Sequence, residues 1–364
     1  MKKYLIFGIS TQLGGVETFI FNYIEKMKEQ SRGDTFDFIV FDQLPEFIES
    51  TSLKEDTFYV VPSRIRNPLG YYLGLRKILS HKKYDVLWYN ACTLSDITLL
   101  KMAKKSNIPR RIIHSHNSKN MGGKIVGLLH SIHKKEIGEI ATDFFACSKE
   151  AGDYMFSYKG CTEKVHIVKN AINLEKYQYN ETIRKVKREE LGVNDELLIG
   201  NVGRFHFQKN HEFLIDIFKR VQEKDKTSKL LLVGDGELKD KIIQKTERLG
   251  IRENVIFLEK RRDVNELLQA MDVFLMPSLF EGLPFALVEA QAAALPCVVS
   301  KAISKEARIT DEMVSLDLKE MPEMWADVVL KISKKSNRKS NIKLFREKGF
   351  DISYNAKKIL EYLD

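Results

Sequence analysis

Two carboxylates, Glu281 and Glu289, stand with seven residues between them, and the segment that separates them opens on Gly282-Leu283-Pro284-Phe285 before an apolar run. Proline suits the first helical position, because its missing N–H has no partner there in any case. The spacing therefore predicts a helix whose first turn, residues 282–285, offers unpaired backbone N–H groups at the positive end of a dipole. Such an end takes phosphate. On a continuous helix Glu289 lies about 12 Å along the axis from Glu281, at ~1.5 Å per residue. A ligand with a diphosphate between two hydroxylated ends fits that spacing. Glu289 also stands among Ala286, Leu287, Val288, Ala290 and Ala292, where a charged group needs a partner.

Other groups with chemical potential fall after short β-type runs. Gly203-Arg204 and Lys209 follow one such run. Arg204 can fork onto phosphate oxygens while Lys209 acts as a point charge, and cations so placed stabilise negative charge on a departing oxygen. Gly14-Gly15 separates the first run from the first helical pattern, where glycine admits close approach of a ligand to backbone and a helix start can face an anion. A flexible turn is the other reading. Gly234-Asp235 and Arg261 close two further runs. In His114-Ser115-His116, alternation puts both imidazoles on one face of a strand and Ser115 on the other. His116 lies further out than His114, and a structural histidine is the alternative role. His130 and His133, on the following helical stretch, read as surface residues. No Asp-x-Asp occurs, so no obvious carboxylate pair would hold a divalent ion, and the absence of GxGxxG disfavours a dinucleotide.

Taken in order, Gly14-Gly15, the histidine strand end, Gly203-Arg204-x4-Lys209-Asn210 and Glu281-x7-Glu289 followed by Ala294-Leu295-Pro296 resemble the donor site of retaining glycosyltransferases of the GT-B type, family 4 or group 1. That group includes bacterial capsule and exopolysaccharide transferases. The resemblance covers nearly the whole chain. It implies an α/β fold of two Rossmann-like, doubly wound parallel-sheet domains facing a central cleft, a nucleotide-sugar donor (UDP-sugar favoured over GDP-sugar), and a glycan or lipid-linked saccharide acceptor. It assigns Glu289 to the ribose hydroxyls and Glu281 to sugar hydroxyls near the reacting carbon, where Glu281 would also offset oxocarbenium-like charge. By the same resemblance, the Gly14 and Gly15 amides touch the diphosphate, as do Gly203, Arg204 and Lys209. Gly282, Leu283, Pro284 and Phe285 form the phosphate-facing helix start, and Gly234, Asp235 and Arg261 line the nucleotide pocket. His116, with His114 second, is the histidine near donor sugar and acceptor hydroxyl. Retention, metal-independent transfer and the lack of any cofactor or protein nucleophile are expected. Glu259 and Ala294 stand where the family often has glycine, which leaves the base open. The alternatives are a sugar-nucleotide epimerase or phosphorylase of this architecture, or a non-catalytic partner subunit that binds donor or glycan.

Alternation of β-type and helical patterns along the whole chain requires such parallel layers. Runs at 4–9, 36–41, 85–89, 111–116, 143–147 and 164–168 read as strands of a first domain. Those at 197–202, 229–233, 255–258, 273–276 and 297–300 read as strands of a second. Open parallel sheets bind ligands outside the carboxyl ends of their strands, where nearly all these motifs fall. The polar segment 170–193 reads as a linker. The expected domains are 1–175 on the acceptor side, 176–345 on the donor side, and a terminal piece, 346–364, whose helix packs back on the first by resemblance.

Composition bounds the rest. At 364 residues, 43% hydrophobic and 30% charged, the chain suits two globular domains. No run approaches the ~18 apolar residues of a membrane span, and the apolar start is too short for a signal peptide. Four scattered cysteines without CxxC spacing favour a reducing cytoplasm. The net charge of +9 raises nucleic acid and anionic membrane as partners. Residues 97–135 hold nine Lys/Arg and no acid, and residues 331–348 hold eight against Glu347 alone. No nucleic-acid-binding signature accompanies either stretch, so nucleic acid is not expected. Ile125, Leu128, Leu129 and Ile132 form a helical stripe with basic neighbours. That stripe fits either a peripheral membrane contact at the inner face or packing into the core.

Overall fold

The computed structural model describes residues 1–120, 122–158, 161–334 and 338–364, so Met121 and Lys335 of the two basic stretches lie outside the described residues. The chain divides into two units, Met1–Ala171 with Ile352–Asp364, and Ile172–Asp351.

In the first unit, strands β1 (Lys3–Phe7), β2 (Thr35–Phe41), β3 (Thr57–Val61), β4 (Val86–Ala91), β5 (Arg110–Ser115), β6 (Asp143–Ala146) and β7 (Val165–Ile167) form a parallel sheet ordered β3-β2-β1-β4-β5-β6-β7. Every residue of β4 is buried, as expected for a parallel strand covered on both faces. On one side the helix Gly15–Gln30 buries Phe19, Ile20, Tyr23, Ile24 and Met27 at 3.6-residue spacing. The terminal helix Ile352–Leu363 packs on it, and Asn355 Nδ2 donates to the Tyr23 hydroxyl at 3.2 Å.

The second unit repeats the plan. Strands β8 (Leu198–Val202), β9 (Lys229–Val233), β10 (Val255–Leu258), β11 (Val273–Met276), β12 (Cys297–Ser300) and β13 (Met313–Leu316) run parallel in the order β10-β9-β8-β11-β12-β13. Strand order reverses between β1 and β4 in one sheet and between β8 and β11 in the other, and crevices outside the strand ends open at such points.

Two strands escape the sequence reading, β3 and β13. Both are sheet edges with a single buried residue, Val61 and Met313; β13 is a short run broken by Ser315, whereas β3 carries the apolar run 58–61 and was simply missed. The expected linker is a folded part of the second unit. It forms helices Leu174–Tyr177 and Glu181–Glu190, and Lys187 and Arg188 are buried. The Arg184 guanidinium donates to the carbonyls of Gln269, Ala270 and Met271, Arg188 donates to Ala270 O, and Arg338 donates to Gln269, Met271 and Ala293. These carbonyls end the helices Val264–Ala270 and Phe285–Ala292, where orphan acceptors favour a cation. Charge that reads as solvated linker therefore closes helix ends.

Candidate active site

At the carboxyl end of the second sheet, the loop after β8 is tied to the loop after β11. Leu279 N–H donates to Gln208 O at 2.8 Å, Gln208 Nε2 to Phe280 O at 3.0 Å, and Asn210 Nδ2 to Pro277 O at 3.1 Å. Asn210 is left-handed (φ +55°), a conformation asparagine tolerates better than most residues, and it starts the helix His211–Lys224. These ties carry Lys209 to Glu281, Nζ to Oε1 at 2.7 Å, with both side chains largely buried. The contact is a charge pair outside hydrogen-bonding angles, since Oε1 receives no directed hydrogen bond. Gly203 belongs to the same crossing. A Cβ on Gly234 (φ +147°) would lie 2.1 Å from Gly203 O, so the loops after β8 and β9 meet only because Gly234 is bare.

Arg204 is half-exposed and pairs with Glu237 at 3.0 Å. Asp235 is exposed, accepts from Gly236 N–H at 2.8 Å, and its carbonyl accepts from Phe205 N–H at 2.9 Å. Arg261 grips Asp263 through two nitrogens at 2.8 and 2.7 Å and reaches Glu190 at 3.2 Å, so its guanidinium closes a surface ion network in this conformation.

The helix expected to face phosphate begins later than its sequence suggests. It spans Phe285–Ala292 with Pro284 as the extended N-cap (ψ 127°), and Leu287 and Val288 N–H both return to Pro284 O. The first amides without a helical acceptor are thus those of Phe285 and Ala286, while Gly282, Leu283 and Pro284 form the lead-in. Glu281 precedes the helix and bridges to Ile303, so the 12 Å axial estimate does not apply to it. Glu289 lies within the helix and accepts from the Tyr177 hydroxyl at 2.8 Å. Burial, partly offset by the Tyr177 hydrogen bond, leaves its carboxyl raised to about 7. Glu289 keeps a solvent-facing edge, which limits the full shift.

The first unit carries the histidines, at the ends of β4 and β5. Gly8 is left-handed (φ +122°), and a Cβ there would sit 2.6 Å from Asn90 O, so β1 and β4 end in close backbone contact. Asn90 Nδ2 donates to Phe7 O at 3.0 Å, which turns its Oδ1 onto His116 Nε2 at 2.9 Å. With the amide nitrogen committed, Nε2 must be the donor, and in the neutral ring Nδ1 holds the lone pair. Burial keeps the ring neutral by pushing His116 down to about 3. His114 is fully buried beneath it. The rings stack at 4.2 Å, Trp88 Nε1–H donates to His114 Nδ1, and Phe19 and Phe145 close the edges. His114 therefore supports His116 and has no exposed edge for a reactant. At the other strand end, Gly14 N–H and Ser10 N–H both donate to the buried Glu17 carboxylate, at 3.0 and 2.9 Å. That leaves Gly15, whose helix start is open, as the free part of the Gly-Gly element.

The family model of family 4 glycosyltransferases matches residues 13–176, and that of group 1 glycosyl transferases matches 196–335. EpsF of Bacillus subtilis (strain 168), a glycosyltransferase by provisional assignment, is 30% identical over 358 residues, 95% of this chain and 92% of its own. The chain belongs to the group 1, family 4 glycosyltransferases. The glycosyltransferase is also 28% identical over 215 residues to the Escherichia coli UDP-Gal:alpha-D-GlcNAc-diphosphoundecaprenol alpha-1,3-galactosyltransferase, covering 55% of this chain and 54% of that one. Its structure superposes on that of Anabaena Alr3699/HepE in complex with UDP and glucose, with a TM-score of 0.81 at 18% identity, over 100% and 99% of the two chains. The fold is GT-B.

Ile125, Leu128 and Ile132 are exposed and no part of the core, whereas Leu94 N–H donates to His130 Nδ1 at 3.1 Å and Leu94 O accepts from His133 Nδ1 at 2.6 Å, so neither histidine is the free surface group the sequence suggested. Three polar residues that hold the candidate side chains were given no role in the sequence reading. Glu17 sits at the third helical position after Gly14, the spacing of a capping-box glutamate. Asn90 is a lone amide in an otherwise apolar strand, beside a strand that ends in histidine. Tyr177 carries no local signal and meets Glu289 only through the fold.

Proposed function

We propose that this glycosyltransferase moves a sugar, with retention and without a metal ion, from a UDP-sugar to a glycan or lipid-linked saccharide in surface polysaccharide synthesis. The Lys209–Glu281 pair at the β8 and β11 strand ends carries the reading. A diphosphate leaving group builds negative charge, which Lys209, Arg204 and the Phe285 and Ala286 amides can meet, while Glu281 faces the positive charge that grows on the sugar. The bond from the anomeric carbon to the phosphate oxygen breaks as the acceptor oxygen bonds on the same face, and the acceptor's proton passes to the leaving phosphate. Glu289 takes the ribose hydroxyls. The neutral Nδ1 of His116 accepts a sugar or acceptor hydroxyl. HepE's complex with UDP and glucose supports a uridine donor, and the diphosphoundecaprenol acceptor in the Escherichia coli relative's name supports a lipid-linked one.

The test starts with thermal stability in UDP, GDP, ADP and NAD without metal, followed by turnover of UDP-sugars in excess chelator. UDP should stabilise selectively, and transfer should survive chelation. Glu281→Ala should retain UDP binding and lose about 10³-fold in kcat. Full turnover by that variant refutes its role, and stabilisation by NAD alone refutes the function.

A further inference from the structure

Gln291 lies on the helix Phe285–Ala292 two residues after Glu289, and at about 3.6 residues per turn the two side chains leave it on nearly opposite faces. Glu289 meets Tyr177, whereas Gln291 turns to the segment between β12 and β13. It is 2% exposed, and both ends of its amide are engaged. Nε2 donates to Leu287 O at 3.1 Å and to Ala307 O at 2.8 Å. Oε1 accepts from the N–H groups of Ile309 and Thr310 at 2.9 and 3.0 Å, and from Thr310 Oγ1 at 3.4 Å. An ionised carboxylate or an ammonium group could fill only part of this set, because neither both donates and accepts.

The other end of the same segment holds Glu281. Ser304 N–H donates to Glu281 O at 3.0 Å, Glu281 N–H reaches Ala302 O at 3.4 Å, and Glu281 pairs with Ile303 as an isolated parallel bridge. Glu281 stands outside the named strands and helices, so this bridge fixes its backbone while Lys209 meets its carboxylate. Between bridge and amide lies a single 3-10 turn at Lys305–Ala307, closed by Ala307 N–H on Ser304 O at 3.0 Å. Ile303, Ala307 and Ile309 share one core with Leu283 and Leu287. The path from Gln291 to Glu281 is therefore short and continuous, and a close-packed interior transmits displacement along it.

We propose that Gln291 is a positioning residue for Glu281, which it sets in place through the 302–310 segment. The inference rests on the role given above to Glu281 in transfer. Gln291→Met keeps the length of the side chain and deletes its amide. It should lower kcat by about 10- to 100-fold and leave KM for the UDP-sugar and affinity for UDP unchanged, because Glu281 acts on the sugar and not on the nucleotide. In a Glu281→Ala background the same substitution should cost nothing further. Hydrogen exchange should quicken over residues 279–283 as well as 302–310. Ser304→Pro attacks the path at its other end. Ser304 has φ −53°, which proline adopts, so the change deletes the N–H that holds Glu281 O and leaves the helix untouched. It should reproduce the loss in kcat.

A Gln291→Met protein with lower Tm but wild-type kcat has lost structure alone and overturns the proposal, as do losses that multiply in the Glu281→Ala background. Wild-type kcat in Ser304→Pro overturns it even where Gln291→Met does not fold. A wild type that transfers no UDP-sugar sinks the proposed function by itself. Exchange then decides the link, and unchanged protection at 279–283 in Gln291→Met overturns it.

Discussion

The loops at the carboxyl end of the second sheet and the histidine end of the first occupy equivalent places in two copies of one topology, yet they are built for opposite electrostatics. In the second unit the cations stand against carboxylates, Lys209 on Glu281 and Arg204 on Glu237, in loops cross-tied by backbone hydrogen bonds. In the first the polar centre is uncharged, with two imidazoles stacked under aromatic rings and an amide fixing one of them. A diphosphate needs cations that can change partner, and a carboxylate partner is one it can displace. A hydroxyl needs a lone pair held in one place, and a neutral, buried ring supplies that. On the proposed reading, the same strand-order switch serves two tasks, and the residues at the strand ends decide which.

If that contrast is right, the charged end should be the more sensitive. Lys209→Ala should lower kcat about 10²-fold or more, next in size to Glu281→Ala, because it removes a largely buried cation from the leaving group. Arg204→Ala should cost only about tenfold, since its half-exposed guanidinium is screened by solvent. Single-turnover rates with a saturating UDP-sugar check the order, and equal losses at the two positions would break the distinction.

The neutral end is tested by giving it a charge. In Asn90→Asp a carboxylate faces His116 Nε2, so the imidazole should rise from about 3 by about 1–3 units. The acid limb of kcat/KM should follow it. Asn90→Ala removes the same contact without a charge and should leave that limb in place while turnover falls about tenfold. Titration of the His116 ring signal by NMR separates the two, and a purely structural Asn90 predicts lower Tm in both with no movement of the ring.

Much of this was legible beforehand, for physical reasons that differ by residue. Lys209 and Asn210 were read from the Gly203-Arg204-x4-Lys209-Asn210 spacing after a strand, while the left-handed turn of Asn210 shows only in the structure. His116 could be read because strand alternation gives its face. Asn90 could not, since its importance arises from Phe7 and His116, distant in sequence. Arg184 and Arg188 were misread as linker charge, and Arg338 was read only as part of a basic stretch, because their carbonyl acceptors exist only once two helices end nearby. The start of the helix expected to face phosphate was misplaced because Pro284 serves as well before a helix as inside its first turn. Chemistry at strand ends is local and shows in sequence, whereas the partners that tune it are assembled by the fold.

Buried histidines and the buried Glu289 carboxyl should also respond to acid in opposite senses. His116 and His211 are held near 3 by burial, against an ordinary 6.5, so between those values the unfolded chain binds protons that the fold excludes. Their contribution makes stability rise with pH across that window. Glu289 is raised from 4.5 to about 7, so the fold keeps a proton that the unfolded chain releases, and its contribution makes stability fall as pH rises from 4.5 to 7. Glu289→Gln should remove that opposing term and stabilise the protein by about 1–2 kcal/mol at pH 8 relative to pH 4.5, after allowance for the solvent-facing edge. Urea midpoints across pH 4–8 measure it, and parallel profiles for variant and wild type would reject the assignment.

The smallest effect is expected at Tyr177, whose hydroxyl opposes the burial of Glu289. Tyr177→Phe keeps the ring and deletes the donor, so Glu289 should hold its proton to a higher pH than about 7. A protonated carboxyl accepts ribose hydroxyls poorly, and loss of one such hydrogen bond is worth about 1 kcal/mol, or roughly fivefold in affinity. UDP binding by calorimetry should therefore weaken severalfold at pH 7 and recover by pH 8.5, where the carboxyl ionises without help. Were Tyr177 only packing against the helix, the affinity loss would be the same at both pH values, and Glu289 would owe its tuning to burial alone.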